Sequence, residues 1–203
     1  MISVVDYGVA NLGSILNMLR KVGAAAETVG TPEEIMAAEK IILPGVGAFD
    51  HGVSTLNSRG LVGALRARAL GDRVPILGIC LGMQMLGKSS EEGELSGLGL
   101  IDARCERFRF DGRGHLKVPH MGWSLLETKR ASPLTADLGE KARFYFVHSY
   151  HIVCADPSDV LATAFYGIEF VALVQHENVY GAQFHPEKSH RFGMALLSNF
   201  ARL

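Results

Sequence analysis

One cysteine lies in a setting that can convert a thiol into a nucleophile. Cys80 sits in a G-x-C-x-G segment between Gly78 and Gly82, after a short apolar run and before a helical pattern. A strand, a sharp turn and a helix in that order form the thiol version of a nucleophile elbow. The glycines let backbone pass close to the turn, and the N-terminus of the following helix stabilises a thiolate. The pattern predicts that Cys80 is a catalytic nucleophile.

A thiol nucleophile in acyl transfer needs a general base and a group that orients the base. His185 follows an apolar run near the C-terminus, and Pro186 pushes it into an extended conformation. Residues two apart in extended chain point the same way, so Glu187 can hold one nitrogen of His185 while the other faces Cys80. An α/β-hydrolase is disfavoured, because its acid lies between the nucleophile and the histidine in sequence. Papain-like proteases fit no better, because their cysteine lies near the start of a different architecture.

The other cysteines and histidines carry weaker signals. The chain has three cysteines; Cys105 and Cys154 lack an elbow, and a buried structural role is the ordinary one for a free thiol. Without a C-x-x-C pair, neither a disulfide framework nor a structural zinc site is expected. Four histidines cluster in sequence without carboxylate or thiol partners at ligand spacing, so we predict no metal and no cofactor: His115, His120, His148 and His151.

The first half of the chain alternates short apolar strands with helical patterns. Helical spacing of apolar residues over 12–22 ends at Gly23, and Thr31 with Glu34 forms a capping box at a second helix. Two further helices are predicted over Ala48–Leu56 and Leu61–Leu70. Such alternation predicts an α/β fold with an open, mostly parallel sheet covered by helices on both faces. The predicted strands are Ile2–Asp6, Ala26–Val29, Ile41–Leu43 and Pro75–Ile79.

In the second half, strand signals outnumber helical ones, which predicts antiparallel strands added to the sheet before a last helix near Met194–Phe200. No linker divides the chain, so we predict a single domain over residues 1–203. The predicted strands are Arg107–Phe110, Arg143–Val147, Ile152–Ala155, Val160–Phe165, Phe170–Gln175 and Val179–Phe184.

Composition excludes several classes of function. Lys and Arg total 20 and Asp and Glu total 21, a net charge of −1, so no overall field attracts nucleic acid or an anionic membrane. No apolar run approaches the roughly 20 residues that cross a bilayer, and the first residues lack the features of a secretory signal. We expect a soluble, cytoplasmic protein.

Cys80 in its elbow, together with His185-Pro186-Glu187, resembles the class I glutamine amidotransferases. Further segments narrow the resemblance to the glutaminase subunits of imidazole glycerol phosphate synthases. It extends from about residue 2 to the C-terminal helix. The segments are Asp6-Tyr7-Gly8 with Asn11-Leu12, Pro44-Gly45-Val46-Gly47-Ala48-Phe49, Val118-Pro119-His120-Met121-Gly122-Trp123, Phe146-Val147-His148-Ser149-Tyr150 and Gln183–Ser189.

The resemblance implies roles for individual residues. Cys80 would attack the side-chain amide of glutamine, with His185 as the base and Glu187 orienting it. Backbone amides of Leu81 and of the Pro44–Gly47 loop, at Val46 or Gly47, would form the oxyanion hole. The glutamine would be held by Gly45, Gln84, Glu92, Ser149 and Tyr150. Four residues match positions that face the partner in the family: Asn11, Trp123, Tyr145 and Lys188.

The implied partner resembles a (β/α)₈ barrel, the synthase/cyclase subunit that receives the ammonia and makes imidazole glycerol phosphate. Two positions depart from the usual pattern: Ala10 stands where glycine is usual and Ser124 where asparagine is common. They leave open a paralogous glutaminase that supplies ammonia for surface-polysaccharide sugars. A third interpretation, a non-catalytic regulatory subunit, is opposed by the intact triad.

Overall fold

The structure is a computed structural model and describes residues 1–110 and 116–203. Strands and helices alternate through the first part of the chain, as predicted. The elements there are β1 (Ile2–Val5), α1 (Leu12–Lys21), β2 (Ala26–Val29), α2 (Pro32–Ala37), β3 (Ile41–Gly45), α3 (Phe49–Ser58), α4 (Leu61–Arg66), β4 (Ile76–Cys80) and α5 (Leu81–Leu86).

Strands dominate the second part until the last helix. Its elements are β5 (Ser89–Ser90), β6 (Ala103–Arg107), β7 (His120–Leu125), β8 (Glu127–Thr128), β9 (Arg143–His148), β10 (Tyr150–Cys154), β11 (Val160–Tyr166), β12 (Ile168–His176), β13 (Val179–Ala182) and α6 (His190–Arg202).

The described residues form one large sheet of eight strands in the order β2-β1-β3-β4-β13-β12-β11-β8. Its first five strands run parallel, and β12, β11 and β8 add to it in antiparallel pairs. Two smaller sheets, β10-β6-β5 and β7-β9, lie beside it. The α/β fold class with added antiparallel strands is therefore confirmed.

Both faces of the central parallel strands β1, β3 and β4 are buried, because most of their side chains are apolar. Ile41, Leu43 and Ile76 pack into the cluster on one face of the sheet, while Ile42 and Leu77 pack into the cluster on the other. Continuous apolar runs are what a sheet covered on two sides requires. Among the described residues, no helix is long and apolar enough to cross a membrane.

Local signals set several helix ends. Helix α1 ends where Gly23 adopts a φ of 75°, and α2 begins at a complete capping box between Thr31 and Glu34. The helix predicted over Leu61–Leu70 is regular only to Arg66, after which a π-type turn covers Ala67–Gly71.

Two strand predictions need correction, and one strand was not predicted. The strand predicted over Arg107–Phe110 is wrong, because β6 lies at Ala103–Arg107 and the following residues leave the sheet. The predicted last strand ends at Ala182, two residues early. Strand β7 was not predicted, although Met121, Trp123 and Leu125 alternate along it; the structure turns these apolar side chains outward. His115 lies outside the described residues.

Candidate active site

Cys80 forms the turn between β4 and α5. Its φ of 54° and ψ of −111° are unusual for a residue with a side chain, which is a form of backbone strain that clusters at functional sites. Glycine is required on both sides: a Cβ on Gly78 would lie 2.7 Å from the backbone of Gly82, and one on Gly82 would lie 1.8 Å from the carbonyl oxygen of Leu43. Close backbone packing therefore fixes the nucleophile's position.

The predicted base lies beyond the end of β13. His185 is extended (φ −100°, ψ 98°), and Pro186 starts a 3₁₀ turn. Glu187 Oε1 lies 2.7 Å from His185 Nδ1, and both side chains are almost fully buried. Ser189 Oγ donates to the His185 carbonyl oxygen at 2.7 Å, which holds the backbone in place. The predicted contact between the two side chains is present, but the 3₁₀ turn at Pro186–Lys188, and not extended chain, brings them together.

The electrostatics of His185 suit an ion pair with the nucleophile. Burial opposes its charge, but hydrogen bonds and charge interactions with Cys80 and Glu187 outweigh burial and raise the pKa of His185 to about 9. The imidazolium is then the main form at neutral pH, with Cys80 as one partner and Glu187 as the other. This arrangement places a positively charged imidazolium beside the Cys80 sulfur, a setting in which cysteines become reactive.

Parallel pairing brings the functional residues to the carboxyl edge of the sheet. Gly45 at the end of β3 pairs with Cys80, and Ala182 of β13 pairs with Ile79 on the other side. Ligand sites of α/β sheets occur at this edge. A cavity of about 390 Å³ opens here, lined by Val46, Gly47, Cys80, Leu81, Gln84, Glu92, Pro119, Val147, His148, Ser149, Tyr150, His185 and Lys188.

The profile of the family described as "Glutamine amidotransferase class-I" matches residues 3–203. The chain belongs to this family. A protein of Pseudomonas aeruginosa named "Imidazole glycerol phosphate synthase subunit HisH 2" is 52% identical to it over 203 residues, covering 100% of both chains. One of Methanococcus maripaludis with the same name is 47% identical over 202 residues, covering 100% of this chain and 99% of the relative.

Solved structures agree on the fold. A "Crystal structure of glutamine amidotransferase" superposes with a TM-score of 0.74 at 21% identity and covers 100% of both chains. The "Structure of PurLQS from Thermotoga maritima" gives a TM-score of 0.74 at 22% identity, covering 99% of this chain and 97% of that chain. The narrower resemblance, to the glutaminase subunits, is confirmed by the full-length relatives. This class-I amidotransferase is a glutaminase.

The two sides of the predicted oxyanion hole differ in this amidotransferase. Leu81 is the first residue of α5, where backbone N–H groups have no acceptor within the helix. The Val46 N–H instead donates to the carbonyl oxygen of Val9 at 3.0 Å. Gly47 follows with a φ of 97° and open space around its Cα. The loop amide at Val46 is thus engaged away from the sulfur.

The residues predicted to hold glutamine line the cavity, except Gly45, which lies just behind it. A Cβ on Gly45 would lie 2.6 Å from the hydroxyl of Tyr7, which itself donates to the Pro44 carbonyl oxygen at 2.8 Å. One carboxylate oxygen of Glu92 accepts the N–H of Phe49 at 2.9 Å, at the start of α3. Ser149 and Tyr150 join β9 to β10 at the opposite wall. Their roles toward glutamine remain predictions.

Three of the four predicted partner-facing residues come together. Trp123 and Tyr145 pair across β7 and β9 with ring centroids 6.1 Å apart, and Lys188 Nζ lies 5.9 Å from the Tyr145 ring. We call the outward side chains of β7 (Met121, Trp123 and Leu125) the β7 face; they are 64%, 43% and 61% exposed. Asn11, the fourth, is exposed at the start of α1.

Two clustered histidines lie at one wall of the cavity, where His148 lines it and His120 packs beside His148. The ring centroids of His120 and His148 are 5.4 Å apart. Burial lowers the pKa of His120 to about 4 and the pKa of His148 to about 3, so both rings are neutral at pH 7. His148 Nδ1 lies 2.8 Å from the Tyr150 carbonyl oxygen, so this nitrogen carries the proton and donates to it. The ordering role that the sequence suggested for these two histidines stays a prediction.

The sequence interpretation gave no role to three polar residues of the site: Tyr7, Gln183 and Ser189. Tyr7 donates to the Pro44 carbonyl oxygen of the predicted oxyanion loop, Gln183 to the Cys80 sulfur and Ser189 to the His185 carbonyl oxygen. All three lie inside the segments that carry the family resemblance. A polar residue within an apolar strand end, such as Gln183 after Gly181-Ala182, is the signal that could have identified them.

Proposed function

We propose that this protein hydrolyses glutamine at Cys80 and delivers the ammonia to a synthase subunit that makes imidazole glycerol phosphate in histidine biosynthesis. The observation that carries the proposal is the placement of Cys80 and His185 on one cavity, with the buried Glu187 carboxylate in contact with His185. The full-length relatives named as subunits of that synthase support the pathway.

The chemistry proceeds in two steps. The Cys80 thiolate attacks the amide carbon of the glutamine side chain, and the resulting oxyanion is stabilised by backbone amides at Leu81 and the Pro44–Gly47 loop. His185 gives its proton to the leaving nitrogen, ammonia departs, and a thioester remains. His185, now neutral, takes a proton from water, which attacks the thioester and releases glutamate and the thiolate. Glu187 keeps the ring oriented through Nδ1.

The partner in this proposal is a (β/α)₈-barrel synthase subunit that docks against the β7 face and its neighbours, Asn11, Tyr145 and Lys188. Exposed apolar side chains concentrated on one strand favour a protein-binding role over a solvated surface. The proposed location is the cytoplasm, where thiols stay reduced, which fits three free cysteines.

The nucleophile is tested by comparing Cys80→Ser with Cys154→Ser. Cys80→Ser removes glutamate release, because the hydroxyl is a far weaker nucleophile in this setting, while the partner still works with ammonium salts at raised pH. Cys154 is half-buried on β10 outside the cavity, so Cys154→Ser keeps the activity. Glutamate release by Cys80→Ser at the wild-type rate refutes the triad assignment.

The pathway is tested by expressing the chain with its own synthase partner in a histidine auxotroph that lacks the glutaminase subunit. Growth without histidine supports the proposal, and growth is lost with Cys80→Ser. Active glutaminase without growth contradicts the histidine role and assigns the chain to the polysaccharide paralogue. Growth that survives Cys80→Ser at low ammonium would indicate a non-catalytic subunit.

A further inference from the structure

A fully buried amide side chain lies beside the nucleophile. Gln183 directly follows β13, whose Ala182 pairs with Ile79, so Gln183 is placed next to Cys80. Its backbone N–H donates to the Ala172 carbonyl oxygen at 3.0 Å, and its side chain is 0% exposed. A buried polar group is costly unless its hydrogen bonds are made, so the partners of this amide define what it does.

Those partners form a chain of hydrogen bonds from the cavity wall to the sulfur. Gln84 Nε2 donates to the Tyr150 carbonyl oxygen at 3.0 Å and to Gln183 Oε1 at 3.2 Å. Gln183 Nε2 in turn lies 3.9 Å from Cys80 Sγ, within reach of an N–H to sulfur hydrogen bond.

The orientation of both amides follows from this chain. A backbone carbonyl accepts and never donates, so the Tyr150 carbonyl oxygen fixes the NH₂ end of Gln84 toward itself. The same NH₂ group requires an acceptor in Gln183, which turns the Gln183 oxygen toward Gln84 and its NH₂ toward Cys80. A flipped Gln183 would oppose two NH₂ groups and present a carbonyl oxygen to a thiolate.

We propose that Gln183 is a positioning residue that holds an N–H donor on the Cys80 sulfur, clamped in that orientation by Gln84. The inference rests on the proposed role of Cys80 as nucleophile. A hydrogen bond to a charged acceptor is stronger than one to a neutral acceptor, so the Gln183 N–H favours the thiolate over the thiol. Unlike His185, an amide neither gains nor loses a proton during the reaction.

The unchanged protonation of the Gln183 amide matters when the thioester is hydrolysed. When water attacks the thioester, the C–S bond breaks and the electron pair returns to sulfur. His185 holds the proton taken from water at that moment. Gln183 stabilises the departing thiolate with an N–H that needs no proton transfer, so it assists both the attack and the release steps.

The test is the pH profile of Cys80 alkylation by iodoacetamide without glutamine, measured on the Cys80 peptide by mass spectrometry. Gln183→Glu keeps the size and the acceptor for Gln84 but replaces the donor with an oxygen. Gln183→Met removes donor and acceptor. We expect the rate at pH 7 to fall about tenfold and the midpoint of the profile to rise by about one unit, with the larger change in Gln183→Glu.

A purely structural amide would change the thermal unfolding midpoint and leave the alkylation profile unmoved. An unmoved profile in a folded variant therefore overturns the inference. Gln84→Met keeps Gln183 but releases its clamp, and we expect part of the same shift; this variant decides the question if the Gln183 variants do not fold. Glutaminase activity in Cys80→Ser refutes the proposed function itself, so the two failures are distinguishable.

Discussion

Two neighbouring strand ends carry the chemistry, and they are built differently. At the end of β4, Cys80 is held in a strained turn, and Gly82 packs so closely that a Cβ there would lie 1.8 Å from the Leu43 oxygen. At the end of β3, Gly47 has no atom within 4 Å of a would-be Cβ, and Val46 is 44% exposed. The nucleophile is fixed, whereas the loop amide has room to turn.

The difference separates two functions of the site. The fixed end holds the predicted nucleophile, and nearby the predicted base His185 is in contact with Glu187. The open end holds one predicted oxyanion donor, and that donor is bound to the Val9 carbonyl oxygen. From this contrast we predict that the nucleophile is in place while stabilisation of the transition state requires rearrangement of the loop.

The largest effect is expected at the fixed end. Gly82→Ala places a methyl group against the Leu43 carbonyl oxygen. This oxygen belongs to the backbone of β3, so it cannot move aside without displacing the strand. We expect loss of folding or of all glutaminase activity. Gly63→Ala is the matched control, because this helical glycine has open space around it, and alanine there should stabilise α4 by about 0.5–1 kcal/mol. Thermal unfolding and glutamate release measure both; a stable, active Gly82→Ala would show that the elbow is not tightly packed.

Features that local sequence rules specify could be predicted, and features that depend on the rest of the molecule could not. The elbow, the contact between His185 and Glu187 and the alternating elements follow local rules of spacing, glycine placement and proline conformation, so they were predicted and the structure has them. The chain after His185 differs from the prediction, because it forms a 3₁₀ turn instead of extended chain. Strand β7 was missed although Met121, Trp123 and Leu125 alternate along it; in the structure these side chains face outward and belong to no buried face.

Contacts between residues far apart in sequence could not be predicted from local sequence rules either. The engagement of the Val46 N–H depends on where the chain at Val9 passes, 37 residues earlier, and nothing in the Pro44–Gly47 sequence specifies that contact. The link from Gln84 to Gln183 joins residues 99 apart. Such pairs arise from the register of parallel strands, which the sequence does not display.

The second prediction concerns the open end. The isolated subunit should be a poor glutaminase, and a substrate-loaded partner should raise glutamate release by about a hundredfold or more, the usual worth of one oxyanion donor. The partner needs only to bind the loop better with the Val46 N–H turned toward the sulfur than in the resting state. Glutamate release by the subunit alone, with partner, and with partner plus acceptor measures the effect.

Gly47→Pro sharpens this test. Proline holds φ near −65°, far from the 97° that Gly47 adopts, so the loop loses its resting geometry and its freedom. We expect the response to the partner to be blunted while Cys80 remains alkylatable, because the fixed end is untouched. Full activity of the isolated wild-type subunit, unchanged by partner and ligand, would contradict the contrast between the two ends.

The third prediction concerns the pKa of the predicted base, His185. The pKa of His185 is raised to about 9 from an ordinary value near 6.5, so the stabilisation is fully present below about pH 6.5 and is lost as pH rises through about 9. Glu187→Gln removes one of the two raising partners and lowers that pKa. The wild-type advantage in unfolding free energy over Glu187→Gln should therefore shrink between pH 6.5 and 9.

Activity should fall about a hundredfold in Glu187→Gln, as general acid–base catalysis weakens. An NMR titration of His185 measures its pKa directly, and urea unfolding at several pH values measures the stability difference. A titration midpoint in Glu187→Gln equal to that of the wild type would mean that Cys80 alone sets the charge of the base.

The smallest effect is expected at the β7 face, where the partner would act on the open end. Trp123 stacks on His190 with ring centroids 5.6 Å apart and has Arg143 5.8 Å from its ring, so it is a rigid aromatic on an exposed apolar surface. Residues of this kind contribute about 2 kcal/mol or more to an interface, so Trp123→Ala should weaken partner binding by roughly 30-fold. The control is Leu70→Ala, because Leu70 is a similarly exposed apolar residue outside this face, and this variant should bind normally.

Titration calorimetry gives the affinities, and glutamate release at saturating partner separates binding from switching. If Trp123 serves only as an anchor, saturation restores full activation; if activation stays low when every subunit is bound, Trp123 also transmits the change to the loop. Normal affinity in Trp123→Ala would place the partner elsewhere and leave the opening of the loop without a known cause.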